Sequence, residues 1–226
     1  MAGRWIMRQT WEDLLFAHWP VPVEALAPAV PTALPIDVRE GTAWIGVTPF
    51  EVTGLRGRWM PPIPGLSRFA EVNVRTYVTY DGKPGIYFLS LDAASRAAVA
   101  AARRGYRLPY FHAAIRIERD GGDVRFESRR RGGPSAEVGM RYMPGEPAGD
   151  ELGRWLTERY CLYTFDERRR VRRADIRHAP WRLRAAELTL DRNTMAAPYG
   201  LELEGSPPLV HYAARQDVMF WPLGVG

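Results

Sequence analysis

The stretch AEVNVRTYVTY, Ala70 to Tyr80, sets Glu71, Asn73, Arg75, Tyr77 and Thr79 against Val72, Val74, Thr76, Val78 and Tyr80. In an extended chain, alternate side chains leave opposite faces, and same-face neighbours stand about 7 Å apart. A strand here carries a carboxyl, an amide and a guanidinium in one row. If that row faces a closed interior, Arg75 can hold a carboxylate through two parallel hydrogen bonds. Glu71, desolvated, would keep its proton to higher pH and could exchange it with a ligand. The competing reading is that the polar row faces water while the valine row packs the core.

A second group lies in LPYFHA, where Tyr110 and His112 fall on one face of a strand. A tyrosine can donate to an enolate-like oxygen, and a histidine can take or give a proton near neutral pH. Each also has a packing role, as a core aromatic ring with its polar atom satisfied. Arg103 and Arg104 close an alanine-rich segment, where cations suit a helix C-terminus. His18 with Trp19, and His178 with Trp181, pair imidazole with indole near a proline. Both pairs suit packing, with a pocket mouth or a dimer seam as the alternative.

Those side chains need a scaffold of strands. Pro22 to Val30 reads as a short packing helix, and Thr42 to Val52 as a strand. Gly54 to Phe69 is rich in proline and glycine and reads as a long surface loop of the kind used as lids. After Ala70 to Tyr80, the turn DGKPG leads to an antiparallel partner, Ile86 to Asp92. Asp92 then reads as the N-cap of a helix, Ala93 to Arg104, stopped by Gly105. Strands follow over Tyr110 to Arg119, Val124 to Arg130 and Glu137 to Met143. A short helix at Asp150 to Glu158 precedes strands in RYCLYTF and VRRADIRH, and a last strand at Leu209 to Trp221. The pattern is α+β: a mainly antiparallel, strongly curved sheet of the β-barrel kind with a few short helices.

The 226 residues, 46% hydrophobic and 25% charged, describe a chain that folds, and no long polar linker divides it, so one domain over residues 1–226 is expected. No apolar run approaches the roughly 20 residues of a membrane span, and the N-terminus has no signal-peptide pattern, so a cytoplasmic location is expected. The single cysteine, Cys161, excludes an internal disulfide and a thiolate zinc cluster, and its apolar surroundings suit an inert thiol. The four histidines show no metal-ligand spacing. No serine-hydrolase elbow, P-loop or dinucleotide glycine motif is present, so no cofactor or metal is expected. The pI of 9.6 comes with a net charge of only +5, carried by arginine with Lys83 as the sole lysine. Arg129 to Arg131, and Arg168 to Arg170 with Arg172 and Arg173, read as solvated turns.

The run RFAEVNVRTYVTYDGKPGIYFLSLDAASRAAVAAARRGYRLPYFHA resembles the central part of the acetoacetate decarboxylase-like superfamily. More narrowly, LLFAHWPVP, AWIGVTPF, RFAEVNVRTYV, YFLSLDA, LPYF, RYCLYT, HAPW and DVMFWPL resemble the uncharacterised YqjF-like family, DUF2071, nearly end to end. The superfamily resemblance implies a curved-sheet fold around a pocket, with Glu71 matching the pocket glutamate and Arg103 the arginine before the lysine that forms a Schiff base. Here Pro109 is followed by Tyr110, so that nucleophile is missing, and Lys83 reads as a hairpin-turn residue.

The expectation is a pocket for a small acidic or carbonyl compound, with Glu71 and Tyr110 catalytic and Asn73, Arg75, Arg103 and His112 binding. Non-Schiff-base lyase or isomerase chemistry would follow. The alternatives are a non-catalytic ligand-binding protein, or a nucleic-acid-binding or assembly protein using the arginine-rich turns. Neither a specific nucleic acid nor a membrane is an expected partner, and a homo-oligomer stays open.

Overall fold

The computed structural model describes residues 4–63, 67–203 and 205–226. Among them, β1 (Met7–Val21), β2 (Ala43–Gly57), β3 (Phe69–Tyr80) and β4 (Lys83–Ala93) form a run of antiparallel neighbours. Then come β5 (Tyr110–Asp120), β6 (Asp123–Arg130) and β7 (Glu137–Pro147), followed by β8 (Cys161–Phe165), β9 (Val171–Arg177) and β10 (Arg184–Asn193). The long β11 (Leu209–Phe220) and the two-residue β12 (Gly224–Val225) complete one mixed sheet. The helices are short: α1 (Val23–Leu26), α2 (Arg96–Gly105) and α3 (Glu151–Thr157).

The sheet closes on itself twice. β4 pairs with β8 through Ile86 and Tyr87, and with β5 through Leu91 to Ala93, both parallel. At the far side, β11 pairs with β10 near Tyr212 and with β9 through Met219 and Phe220. Five strands, β4-β3-β2-β1-β11, are therefore shared by two rings. One is completed by β8 and β9, the other by β5, β6, β7 and β10.

This double closure buries both faces of β3 along most of its length. Val72, Val74 and Val78 pack with Leu15, Phe126 and Met140 in the larger ring. On the opposite face of β3, Glu71, Asn73 and Arg75 are also buried, at 4%, 5% and 6% exposure, so the polar row does not face water.

Several boundaries differ from the sequence reading. β2 runs on through Gly57, so the expected loop from Gly54 begins four residues late, and its residues 64–66 lie outside the described set. Asp92 is no N-cap: it is a buried strand residue in a bidentate pair with Arg130, at 2.8 to 3.1 Å. The cap of α2 is Ser95, whose hydroxyl accepts from the Ala98 amide at 3.2 Å. Arg130 is therefore not a solvated turn residue, and its guanidinium also lies over the Phe111 ring at 4.0 Å. β1 and β10 escaped the sequence reading, since β1 is buried on both faces along its second half and shows no alternation there.

Candidate functional site

The smaller ring encloses a cavity of about 70 Å³, reached by side chains of β1, β2, β3, β4, β8, β9 and β11. β3 supplies Glu71, Asn73 and Arg75, and β5 supplies Tyr110 at its first residue. Thr157, Arg159, His178 and Trp181 come from α3 and from the segments around β8 and β9.

Glu71 is the only carboxylate among the described lining residues. Burial pushes its pKa up to about 8, a rise that a hydrogen bond from Tyr110 restrains and the charge of Asp92 adds to. Tyr110 donates its hydroxyl to both Glu71 oxygens, at 3.0 and 3.2 Å. The same burial, with Glu71 beside it, holds the Tyr110 hydroxyl well above the usual tyrosine range. At neutral pH the pair is mostly a carboxylic acid with a neutral phenol.

Arg75 has no carboxylate partner among the described residues. Its Nε donates to the Tyr77 hydroxyl at 3.3 Å, and its guanidinium lies 4.9 Å from the Phe16 ring centroid. The Tyr77 oxygen is also 2.6 Å from Nε2 of His18. Burial, and next the positive charge of Arg75, keep His18 neutral well below its ordinary pKa. We therefore assign Tyr77 as acceptor from Arg75 and donor to His18. Gly46 makes room for this chain: a Cβ there would stand 3.1 Å from the His18 ring and 3.3 Å from the Tyr77 oxygen. Arg159 pairs with Asp37 through one amino nitrogen at 2.6 Å, and its Nε donates to the Trp155 carbonyl.

Six buried polar atoms around this cavity have no hydrogen-bond partner among the described residues. They are Trp11 Nε1, Thr48 Oγ1, Asn73 Oδ1, His178 Nε2, and one amino group each of Arg75 and Arg159. Buried polar atoms are ordinarily paired, so a cluster of unpaired ones marks a place where something polar is meant to sit. His178 Nδ1 already meets the Ala179 carbonyl at 2.7 Å, which turns Nε2 toward the cavity. Trp181 Nε1 donates to the Thr157 carbonyl at 2.9 Å.

Two of the expected binding residues lie elsewhere. Arg103, near the C-terminal end of α2, is exposed, and its Nε donates to the Tyr110 carbonyl at 2.7 Å. It steadies the backbone that carries Tyr110 and does not line the cavity. His112 pairs in register with Ala93, the last residue of β4, so it falls beyond the cavity's end. Lys83 is bound to Asp175 at 2.7 Å, away from the cavity. Cys161 does line it, as a buried thiol that burial pushes to higher pKa. Among the described residues no three His, Cys, Asp or Glu side chains gather as a metal site, and no helix is long and apolar enough to cross a membrane. Arg159, Thr48 and Trp11 were not foreseen, because their approach to β3 is set by long-range closure, which no local periodicity encodes.

The family model of the uncharacterised conserved proteins DUF2071 matches residues 8–217. The chain belongs to the DUF2071 family. Among curated DUF2071-like relatives, the uncharacterised protein YqjF of Bacillus subtilis (strain 168) is 49% identical over 225 residues, spanning 98% of this chain and 93% of that one. Among solved structures, an acetoacetate decarboxylase superposes with a TM-score of 0.69 at 14% identity, covering 99% of this chain and 90% of its own. The acetoacetate decarboxylase of Legionella pneumophila gives 0.67 at 12%, covering 99% and 86%. The enduracididine biosynthesis enzyme MppR, complexed with pyruvate, gives 0.67 at 13%, covering 100% and 91%. At these identities the likeness establishes the fold: this DUF2071 chain has the acetoacetate decarboxylase-like architecture.

Proposed function

We propose that the cavity binds a small acidic or carbonyl compound in the cytoplasm and moves a proton on it without a Schiff base, as a lyase or isomerase does. One observation carries the reading: Arg75 is a buried guanidinium with no carboxylate partner among the described residues, in a cavity whose only described carboxylate, Glu71, mostly keeps its proton at neutral pH. An unpaired buried charge is costly, and a ligand anion would supply the counter-charge. The relatives of this fold include an enzyme whose structure holds pyruvate, a compound of that class.

In this reading Arg75 anchors the ligand's anionic group, with the free amino group of Arg159 as a further donor, while Nε2 of His178, whose Nδ1 donates to the Ala179 carbonyl, accepts from a ligand hydroxyl. Glu71, with a pKa of about 8, exists in both protonation states near neutral pH, the condition a proton carrier needs. Its carboxylate form takes a proton from carbon next to a carbonyl and returns it elsewhere, while Tyr110 holds the carboxyl in place. The sole lysine is engaged with Asp175, so amine catalysis has no residue to perform it. The arginine clusters are largely engaged in ion pairs, Arg130 with Asp92 and Arg170 and Arg172 with Asp166, which favours a ligand role over a polyanion-binding one.

Thermal melts of the wild type and of Arg75→Met against oxo acids, hydroxy acids and neutral carbonyl compounds test the binding step. An acid at a hundred times its Kd should stabilise the wild type by about 2.7 kcal/mol and leave the variant unmoved. Deuterium uptake next to the ligand carbonyl in D2O, followed by NMR, tests the proton step and should vanish in Glu71→Gln. Binding without uptake would make the protein a ligand carrier, and no shift with any compound would overturn the reading.

A further inference from the structure

A second chamber, of about 230 Å³, adjoins the first. Gln9, Leu108, Tyr110, Leu162 and Phe220 line both, so the two chambers meet at Tyr110. Their chemistry differs sharply. The inner chamber holds the unpaired polar atoms of Arg75, Arg159, Asn73 and His178. The outer is walled by Met7, Leu55 and Phe69 and roofed by Ala98, Ala101 and Ala102 of α2. Those alanines, at i, i+3 and i+4, form one helix face, and their short side chains leave the space open. Tyr106, also in the outer wall, has its hydroxyl committed to the Trp221 carbonyl at 3.1 Å.

We infer that the ligand is an amphipathic acid, its anionic head at Arg75 in the inner chamber and an apolar tail running past Tyr110 into the outer one. The inference rests on the anion-site reading above and narrows it. An inner chamber of about 70 Å³ has room for a head of a few atoms. The outer exceeds the roughly 150 Å³ that accepts a benzene ring, and so takes an alkyl chain of about six carbons or an aromatic ring. Burying apolar surface is favourable in proportion to its area, whereas a three-carbon acid would leave the outer chamber unused. The alanine roof thus sets the length of chain admitted, and Ala98 and Ala102 are specificity-determining residues.

The test is calorimetric titration with straight-chain 2-oxo acids from pyruvate to 2-oxodecanoate, on the wild type, Ala98→Phe and Ala102→Phe. Both alanines are half-buried, so either ring can be accommodated by filling the chamber. In the wild type, affinity should rise up to about fourfold per added methylene and level off as the chamber fills. In the variants that rise should disappear while pyruvate binds as in the wild type. Equal affinity for short and long acids, or a rise that survives both substitutions, would overturn the inference and leave the anion site standing. Binding of no acid at any length would overturn both.

Discussion

At the scale of single residues, Glu71 ties function to pH. Its folded pKa of about 8 lies above the ordinary 4.5, so between those values the native chain holds a proton that the unfolded chain has lost. Stability is therefore fully present below about pH 4.5 and is lost as pH rises toward 8, by up to about 1.4 kcal/mol per unit. Glu71→Gln lacks this dependence, so its melting temperature should gain on the wild type from pH 5 to 8 and run parallel above 9. Tyr110→Phe removes the hydrogen bond that restrains the rise, so the Glu71 midpoint, read by carboxyl-carbon NMR, should move above 8. Anion affinity should fall above the same midpoint, where Glu71 becomes a negative neighbour. The row Glu71, Asn73 and Arg75 was legible because period-two alternation fixes which side chains share a face. That the row is buried was not legible: the same alternation describes a wet face, and only the pairing of distant strands decides.

At the scale of elements, the junction of β4 and α2 shows where local signals mislead. An aspartate before an alanine-rich run satisfies every rule for an N-cap, yet Asp92 stays in β4 and Ser95 takes the cap. The competing partner is Arg130, 38 residues away on β6, and no sequence window contains both. The two roles predict different costs. A lost cap is worth about 1 kcal/mol, which is the expectation for Ser95→Ala. Asp92→Ala strands a buried guanidinium and should cost about 3–5 kcal/mol in denaturant unfolding. A loss of only about 1 kcal/mol at Asp92 would mean that the ion pair contributes little. Arg103 belongs at this scale too: by holding the Tyr110 carbonyl it docks the end of α2 onto β5.

At the scale of the molecule, the two rings share β4-β3-β2-β1-β11, and β3 lies inside that run. Its amides pair with β2 on one edge and β4 on the other, with interior on both faces. Amide protons of Val72 to Val78 should be among the last in the chain to exchange with D2O, at the free energy of global unfolding, while those of α2 exchange earlier. Exchange of β3 ahead of α2 would mean that the cavity wall opens on its own. A partition with a room on each side has no spare side on which change is cheap. A bulkier residue at Val74, chosen to tighten the packed room, would press Asn73 and Arg75 into the other, so the two volumes trade against each other and can only be remodelled together.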